Sequence, residues 1–434
     1  MDKMADVLGR AGAWCGQNKY LSAIKNAFQN FMPLTIAGAI GVLWCNVLVN
    51  DQTGLGLFFK PIMALDFLNP AFQAVNFCTI SCITVGITLG IAQEIGVWNM
   101  GAEKAGYIPG LVGLAAWLSV TNTSHMVDGA KEAFTGIAGN ELGATGLFTG
   151  MIIGVLSVEL FCFFEKQDAL KIKMPEQVPP GVARAFEVLV PATITLIITA
   201  CIGSACYNLT GLYLNDVIKN GVQGPLGAVG ATIPGVMIIY LVIMLFWLVG
   251  IHGNNMLSAV KEALFTPLAL ENVEAFNKGE TPKNIINMYF LQMCGEFGGS
   301  GVTIGLVIAI MIFGKREDNK AIASLSLVPG LFNINETVTF GIPMVLNPIL
   351  GIPFVFACLV TILVGYVLTV IGFCPVACLT VPWTTPPLVF GFLATGANIM
   401  GAVTQAILIV VSTVIYVPFL ISYEKYQNKQ AAEA

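Results

Sequence analysis

Ile349-Leu350-Gly351-Ile352-Pro353-Phe354-Val355-Phe356-Ala357-Cys358-Leu359-Val360-Thr361-Ile362-Leu363-Val364-Gly365-Tyr366-Val367-Leu368-Thr369-Val370-Ile371-Gly372-Phe373 runs without one charged side chain. A helix needs roughly 20 apolar residues to cross the hydrocarbon core of a bilayer, and this stretch exceeds that length. Similar runs cover Phe31 to Val49, Asn76 to Ile95, Thr145 to Phe164, Val188 to Cys206, Ile233 to Ile251 and Ala402 to Ile421. The chain has 434 residues, 56% hydrophobic and only 10% charged, which leaves too few polar groups to clothe a water-soluble surface. Gly-rich or Pro-broken segments at Tyr107 to Thr121, Tyr289 to Phe313 and Leu325 to Pro348 lie between the runs. Counting them as well predicts an all-α integral membrane protein with about ten transmembrane helices.

Basic residues set the orientation of such a chain. Lys3, Arg10, Lys19 and Lys25 precede the first span, and Lys166, Lys171, Lys173 and Arg184 occupy a middle loop. Lys315, Arg316 and Lys320 form a third group, and Lys425 and Lys429 a fourth. Placing all four in the cytoplasm needs an even number of spans and puts both termini inside. The largest compositional break is the Pro-rich loop 165–185, with Lys171-Ile172-Lys173-Met174-Pro175-Glu176-Gln177-Val178-Pro179-Pro180 at its centre. The expected domains are therefore an amphipathic cytoplasmic segment 1–28, a transmembrane bundle 29–164, the cytoplasmic linker 165–185, a second transmembrane domain 186–421 and a cytoplasmic tail 422–434. Residues 1–28 carry no apolar core with a cleavage site, so an interfacial helix suits them better than a secretory signal.

The net charge of −5 resides mostly in loops and points to no nucleic-acid partner. The eleven cysteines are scattered, with Cys78/Cys82 and Cys374/Cys378 at helical spacing among apolar neighbours. They read as small buried hydrophobes rather than metal ligands or disulfides, and no metal or cofactor is expected.

The second half holds the irregular features. Helix-breaking prolines stand at Pro267, Pro329, Pro343, Pro348, Pro353, Pro375, Pro382, Pro386 and Pro387. Broken backbone at membrane depth is tolerated only where protein buries it or a polar cavity adjoins it, which places the expected substrate site there. Polar groups inside apolar sequence are expensive, so each is a functional candidate. Four clusters qualify: Trp247-Leu248-Val249-Gly250-Ile251-His252-Gly253-Asn254-Asn255, Gly298-Gly299-Ser300-Gly301-Val302-Thr303, Phe332-Asn333-Ile334-Asn335-Glu336-Thr337, and Pro382-Trp383-Thr384-Thr385-Pro386-Pro387. Together they offer aromatic rings, amides, hydroxyls, one imidazole and one carboxylate. That inventory suits a neutral polyhydroxylated ligand, whose C–H faces stack on rings and whose hydroxyls bond to polar side chains.

His252 reads either as a core histidine or as a ligand contact, and Trp247 and Trp383 either as interfacial anchors or as ring platforms. Glu296 reads as a buried structural carboxylate or as a second site acid, while Lys261 and Glu262 fit an amphipathic hairpin arm. The glycine-rich stretch Gly298 to Gly301 lacks the lysine of a phosphate-binding loop and reads as close backbone packing. Glu187 opens the span after the linker, where a helix N-terminus favours a carboxylate.

These motifs resemble a known family. Met174-Pro175-Glu176-Gln177-Val178-Pro179-Pro180, Gly298-Gly299-Ser300-Gly301-Val302-Thr303, Phe332-Asn333-Ile334-Asn335-Glu336 with Phe340-Gly341-Ile342-Pro343, Asn347-Pro348-Ile349-Leu350 and Tyr416-Val417-Pro418-Phe419 are similar to the lactose/cellobiose/N,N'-diacetylchitobiose family of phosphotransferase-system sugar permeases, the EIIC component. The resemblance covers nearly the whole chain. It implies a multi-pass protein of a bacterial cell membrane, in contact with lipid, that forms a homodimer through its first bundle. The second domain would hold one β-linked disaccharide (cellobiose, chitobiose or lactose) between spans and two re-entrant hairpins in the C-terminal half. That domain would move as a rigid body and deliver the sugar for phosphorylation by a phosphorylated EIIB protein.

By the same resemblance, Glu336 and His252 are the catalytic candidates and would contact the sugar hydroxyls at the end to be phosphorylated, Asn335 would assist them, and Trp247 and Trp383 would line the pocket. The permease itself would stay unphosphorylated, the phosphoryl-donor cysteine lying on a separate EIIB, since only 422–434 follows the last span. Thr337 stands where such permeases usually carry proline. A proton-coupled secondary transporter that uses Glu336 and His252 as proton carriers is the alternative.

Overall fold

Peptide groups that cannot reach water must pair within their own segment, and the apolar runs fold accordingly as helices. The computed structural model describes residues 10, 13–14, 17–51, 55–125, 134–175, 177–342, 344–345 and 347–433. Much of the expected amphipathic segment 1–28 lies outside the described residues, as do Glu176, Pro343 and Ala434. The principal helices are α1 (Lys19–Leu43), α2 (Ile83–Met100), α3 (Ile108–Val120), α4 (Ala144–Glu165), α5 (Pro180–Thr210), α6 (Ile233–Leu248) and α7 (Ser258–Asn277). They continue as α8 (Met288–Gly295), α9 (Ile304–Phe313), α10 (Glu317–Leu331), α11 (Glu336–Gly341), α12 (Gly351–Val370), α13 (Val389–Ala394) and α14 (Ile399–Glu433). Among the described residues the one sheet is a two-residue pairing of Ser124–His125 with Phe134–Thr135.

Five of these helices are long and apolar enough to cross a membrane, or seven elements if each bent pair counts as one span. The bent pairs are Lys60–Ser81 with α2, at 42°, and Met288–Val302 with α9, at 58°. Helices α3 and α6 are apolar but shorter. The expectation of about ten spans counts such short and interrupted segments as full crossings.

The described chain divides into two compact units, one of Gln17–Gly38 with Val75–Gly227 and the other of Ala39–Ala74 with Ala228–Ala434. In the first, α2, α3 and α4 pack on one another and α5 lies against α3 and α4. Small residues make these approaches possible, as is usual where lipid supplies no hydrophobic drive between helices. A Cβ on Gly113 would sit 2.3 Å from the Ala92 Cβ, and one on Gly150 would sit 2.2 Å from the Thr88 hydroxyl. Helix α5, which follows the Pro-rich linker, lies in the same compact unit as α2, α3 and α4.

The linker itself is bound down. Glu165, buried at the end of α4, faces Lys104 at 2.9 Å, Arg184 at 3.1 Å and Lys171 at 3.8 Å. Glu187 lies two turns inside α5 and pairs with Arg184 at 2.8 Å. An ion pair, rather than a helix N-terminus, accounts for that carboxylate.

In the second unit α14 packs along α9, α12 and α13. Several prolines expected to break helices do not. Pro267 is accommodated inside α7, and Pro353 sits in the first turn of α12, where the missing N–H has no helical partner to lose. Pro329 stands in the last turn of α10, while Pro375, Pro382, Pro386 and Pro387 occupy the non-helical stretch between α12 and α13.

Candidate functional site

The polar clusters singled out in the sequence converge in the second unit. Helix α6 ends at Leu248, Gly250 takes a left-handed φ of +81°, and the chain turns at His252 into a single helical turn, Gly253–Met256, before α7. His252 caps that turn: its Nδ1 accepts the Asn255 backbone N–H at 3.2 Å. A nitrogen that accepts there carries no proton, so the neutral ring keeps its proton on Nε2. That Nε2 faces Glu336 Oε1 at 3.9 Å. Behind the imidazole lies Trp247, 4.5 Å between ring centroids, itself wedged edge-on against Phe354. Trp247 is only 3% exposed, so it supports the histidine from the protein side.

Glu336 opens the short helix α11, and its loop is held by two amides. Asn333 adopts φ +63°, a left-handed conformation that asparagine tolerates better than most residues. Its Oδ1 accepts the Gly298 N–H at 2.6 Å, and its Nδ2 donates to the carbonyls of Trp383 and, at 3.1 Å, Thr385. Asn335 is buried and donates its Nδ2 to the Ser300 carbonyl at 2.8 Å. The glycine-rich stretch is therefore the floor on which this loop rests. Gly299 has φ +89°, and a Cβ there would lie 2.6 Å from Asn335 Cβ. From the opposite side, the Tyr416 hydroxyl donates to the Gly301 carbonyl at 2.8 Å.

Four of the five candidate residues thus take defined places. His252 and Glu336 present half-exposed polar tips to each other, with side-chain exposures of 39% and 48%. Asn335 and Trp247 are buried beneath them. Trp383 is 44% exposed and joins the group through its backbone, tied to Asn333 three residues before Glu336.

The structure gives partners to residues that the sequence left between two readings. Glu296, at the end of α8, takes the Tyr240 hydroxyl of α6 at 2.8 Å and the ammonium of Lys261 on α7 on the same oxygen. Asn254 donates to the Ser300 hydroxyl at 3.0 Å. Lys261 gave no signal of this because its partner lies 35 positions away.

Chemically, the His252–Glu336 gap offers one donor and one acceptor. At 3.9 Å the two atoms are too far apart to bond each other, yet both lie within about 2.8 Å reach of a single oxygen placed between them. A hydroxyl fits that role, since it accepts from an imidazole N–H and donates to a carboxylate. Among the described residues no cluster of histidine, cysteine, aspartate or glutamate could hold a metal ion.

The family profile described as Phosphotransferase system, EIIC matches residues 25–358. The oligo-beta-mannoside-specific EIIC component of Bacillus subtilis (strain 168) is 33% identical over 429 residues, 98% of this chain and 94% of that one. A lactose-specific EIICB component of Staphylococcus aureus (strain COL) is 32% identical over 420 residues, covering 94% of this chain and 69% of that one. The crystal structure of the transporter ChbC, the IIC component from the N,N'-diacetylchitobiose-specific phosphotransferase system, is similar with a TM-score of 0.88 at 30% identity. The likeness spans 97% of both chains.

Proposed function

The chain belongs to the EIIC family of the phosphotransferase system, and on that premise we propose that it binds a β-linked disaccharide between His252 and Glu336 and carries it through the membrane for phosphorylation. It is the membrane-embedded permease component of a phosphoenolpyruvate-dependent sugar transporter. The observation that carries the site assignment is the paired donor and acceptor, His252 Nε2 and Glu336 Oε1, 3.9 Å apart. A sugar hydroxyl seated there has its oxygen oriented and its proton directed at a carboxylate. Phosphoryl transfer asks for this kind of alignment more than for covalent chemistry from the permease.

Glu336 and His252 act on the hydroxyl itself. Asn335 assists from below by holding the Glu336 loop, Trp247 fixes the imidazole plane, and Trp383 offers its exposed ring to the sugar. The phosphoryl donor is a phosphorylated EIIB protein, in keeping with the lactose-specific relative named an EIICB component. The protein works as a homodimer in a bacterial cell membrane, in contact with lipid, with both termini in the cytoplasm. The C-terminal transmembrane domain moves as a rigid body, with two re-entrant hairpins drawn from its broken segments.

A calorimetric screen of the purified protein against cellobiose, diacetylchitobiose, lactose and glucose tests the reading. One β-linked disaccharide should bind, and His252→Ala should weaken it on the order of ten-fold or more, the worth of a hydrogen bond to a polar pair. Failure of every disaccharide to bind folded protein, or indifference to His252→Ala, would overturn it.

A further inference from the structure

We infer that the largely buried Lys261–Glu296 ion pair is the positioning device that holds His252 in register with Glu336, an inference that rests on the sugar-contact reading above. Lys261 and Glu296 have side-chain exposures of 8% and 18%. A buried pair of this kind adds little net stability over an apolar pair of similar size, because desolvation offsets the attraction. Its value must be sought in geometry.

That geometry is specific. Glu296 Oε1 takes Tyr240 from α6 and Lys261 from α7, and the Lys261 ammonium also lies 5.6 Å from the Tyr240 ring centroid. His252 sits in the loop between those two helices, so one carboxylate pins both ends of the histidine arm. The same residue leads directly into the stretch Gly298–Thr303, which grips the Glu336 arm through Asn333 on the Gly298 N–H and Asn335 on the Ser300 carbonyl. Asn254 adds a second tie, from the turn beside His252 to the Ser300 hydroxyl. Glu296 is thus the shared anchor of an imidazole arm and a carboxylate arm that meet at 3.9 Å.

Glu296→Gln keeps an acceptor for Tyr240 and removes the ion pair. Sugar Kd, measured by calorimetry on purified full-length protein, should rise on the order of ten-fold. A positioning role is separated from a general loss of stability by a cycle with His252→Ala. If Glu296 acts through His252, Glu296→Gln should weaken binding little further once His252 is gone. Additive losses in the double variant would overturn the inference.

A buried lysine left without its partner can prevent folding, so Lys261→Met/Glu296→Leu provides the second arm. It removes the unpaired charge without restoring the tether, and the same loss of affinity is expected. Wild-type affinity in that apolar double variant would show the pair to be structural only. An unaltered affinity in His252→Ala alone would instead overturn the sugar-contact reading.

Discussion

Asn333→Ala should loosen the sugar site without touching the sugar. The Asn333 side chain makes three hydrogen bonds, accepting from Gly298 and donating to the carbonyls of Trp383 and Thr385. Each is worth about 1 kcal/mol net, and alanine at φ +63° costs about 1 kcal/mol more than asparagine does. The position is half-buried, and water replaces part of the lost bonding, leaving about 2 kcal/mol of loop order to be restored whenever the ligand binds. That corresponds to an increase of about 30-fold in Kd. Asn333→Gly separates the contributions, since it keeps the left-handed backbone and loses all three bonds. It should recover about 1 kcal/mol relative to alanine in thermal stability while remaining weak in binding. Calorimetry with the disaccharide, alongside melting of the purified protein in detergent, reads both effects. Asn333→Ala with wild-type affinity and an unaltered melting temperature would refute the idea that this amide ties the Glu336 and Trp383 loops together.

Gly299→Ala should displace Asn335, because its Cβ would lie 2.6 Å from Asn335 Cβ on a backbone with φ +89°. A fall in affinity on the order of ten-fold is expected by calorimetry, and an unchanged Kd would show slack beneath the Glu336 loop. Trp383→Ala should raise Kd roughly ten-fold while Trp383→Phe keeps most of the affinity, since the ring is exposed and its carbonyl holds Asn333 in either variant. Equal losses in both would mean that the indole N–H, not the ring face, matters. Lys171→Ala/Lys173→Ala should leave sugar affinity unchanged and lower stability by about 1 kcal/mol or less, because Lys104 and Arg184 still face Glu165. A strong loss of sugar binding would tie the linker to the site.

The spans were the most legible part of the chain. Runs such as Ile349 to Phe373 announce helices because a charge-free stretch in lipid has no other way to satisfy its peptide groups. His252 and Glu336 stood out for the converse reason, as rare polar residues amid apolar sequence, and the fold brings them to 3.9 Å of each other. What the local sequence did not disclose was the direction in which a side chain points. Asn335 lies next to Glu336 yet is buried against the Ser300 carbonyl, and Trp247 supports His252 from beneath.

Pairings across long separations were hidden for a related reason. Lys261 finds Glu296 35 positions later only after α6, α7 and α8 have packed. The Pro-rich linker marks a change of composition, and which helices α5 packs on, α3 and α4, is set by interhelical fit that composition does not disclose. Pro267 misled in the same way, since a helix packed by protein tolerates one proline without ending.

Group translocation through Glu336 can be followed in a reconstituted membrane. Proteoliposomes containing the protein are given radiolabelled disaccharide outside and phosphorylated EIIB inside, with no pH gradient. Sugar phosphate should accumulate in the lumen only when phosphorylated EIIB is present, and Glu336→Gln should abolish that accumulation while the protein remains folded. Accumulation of unmodified sugar driven by a pH gradient alone, or full activity in Glu336→Gln, would contradict the account.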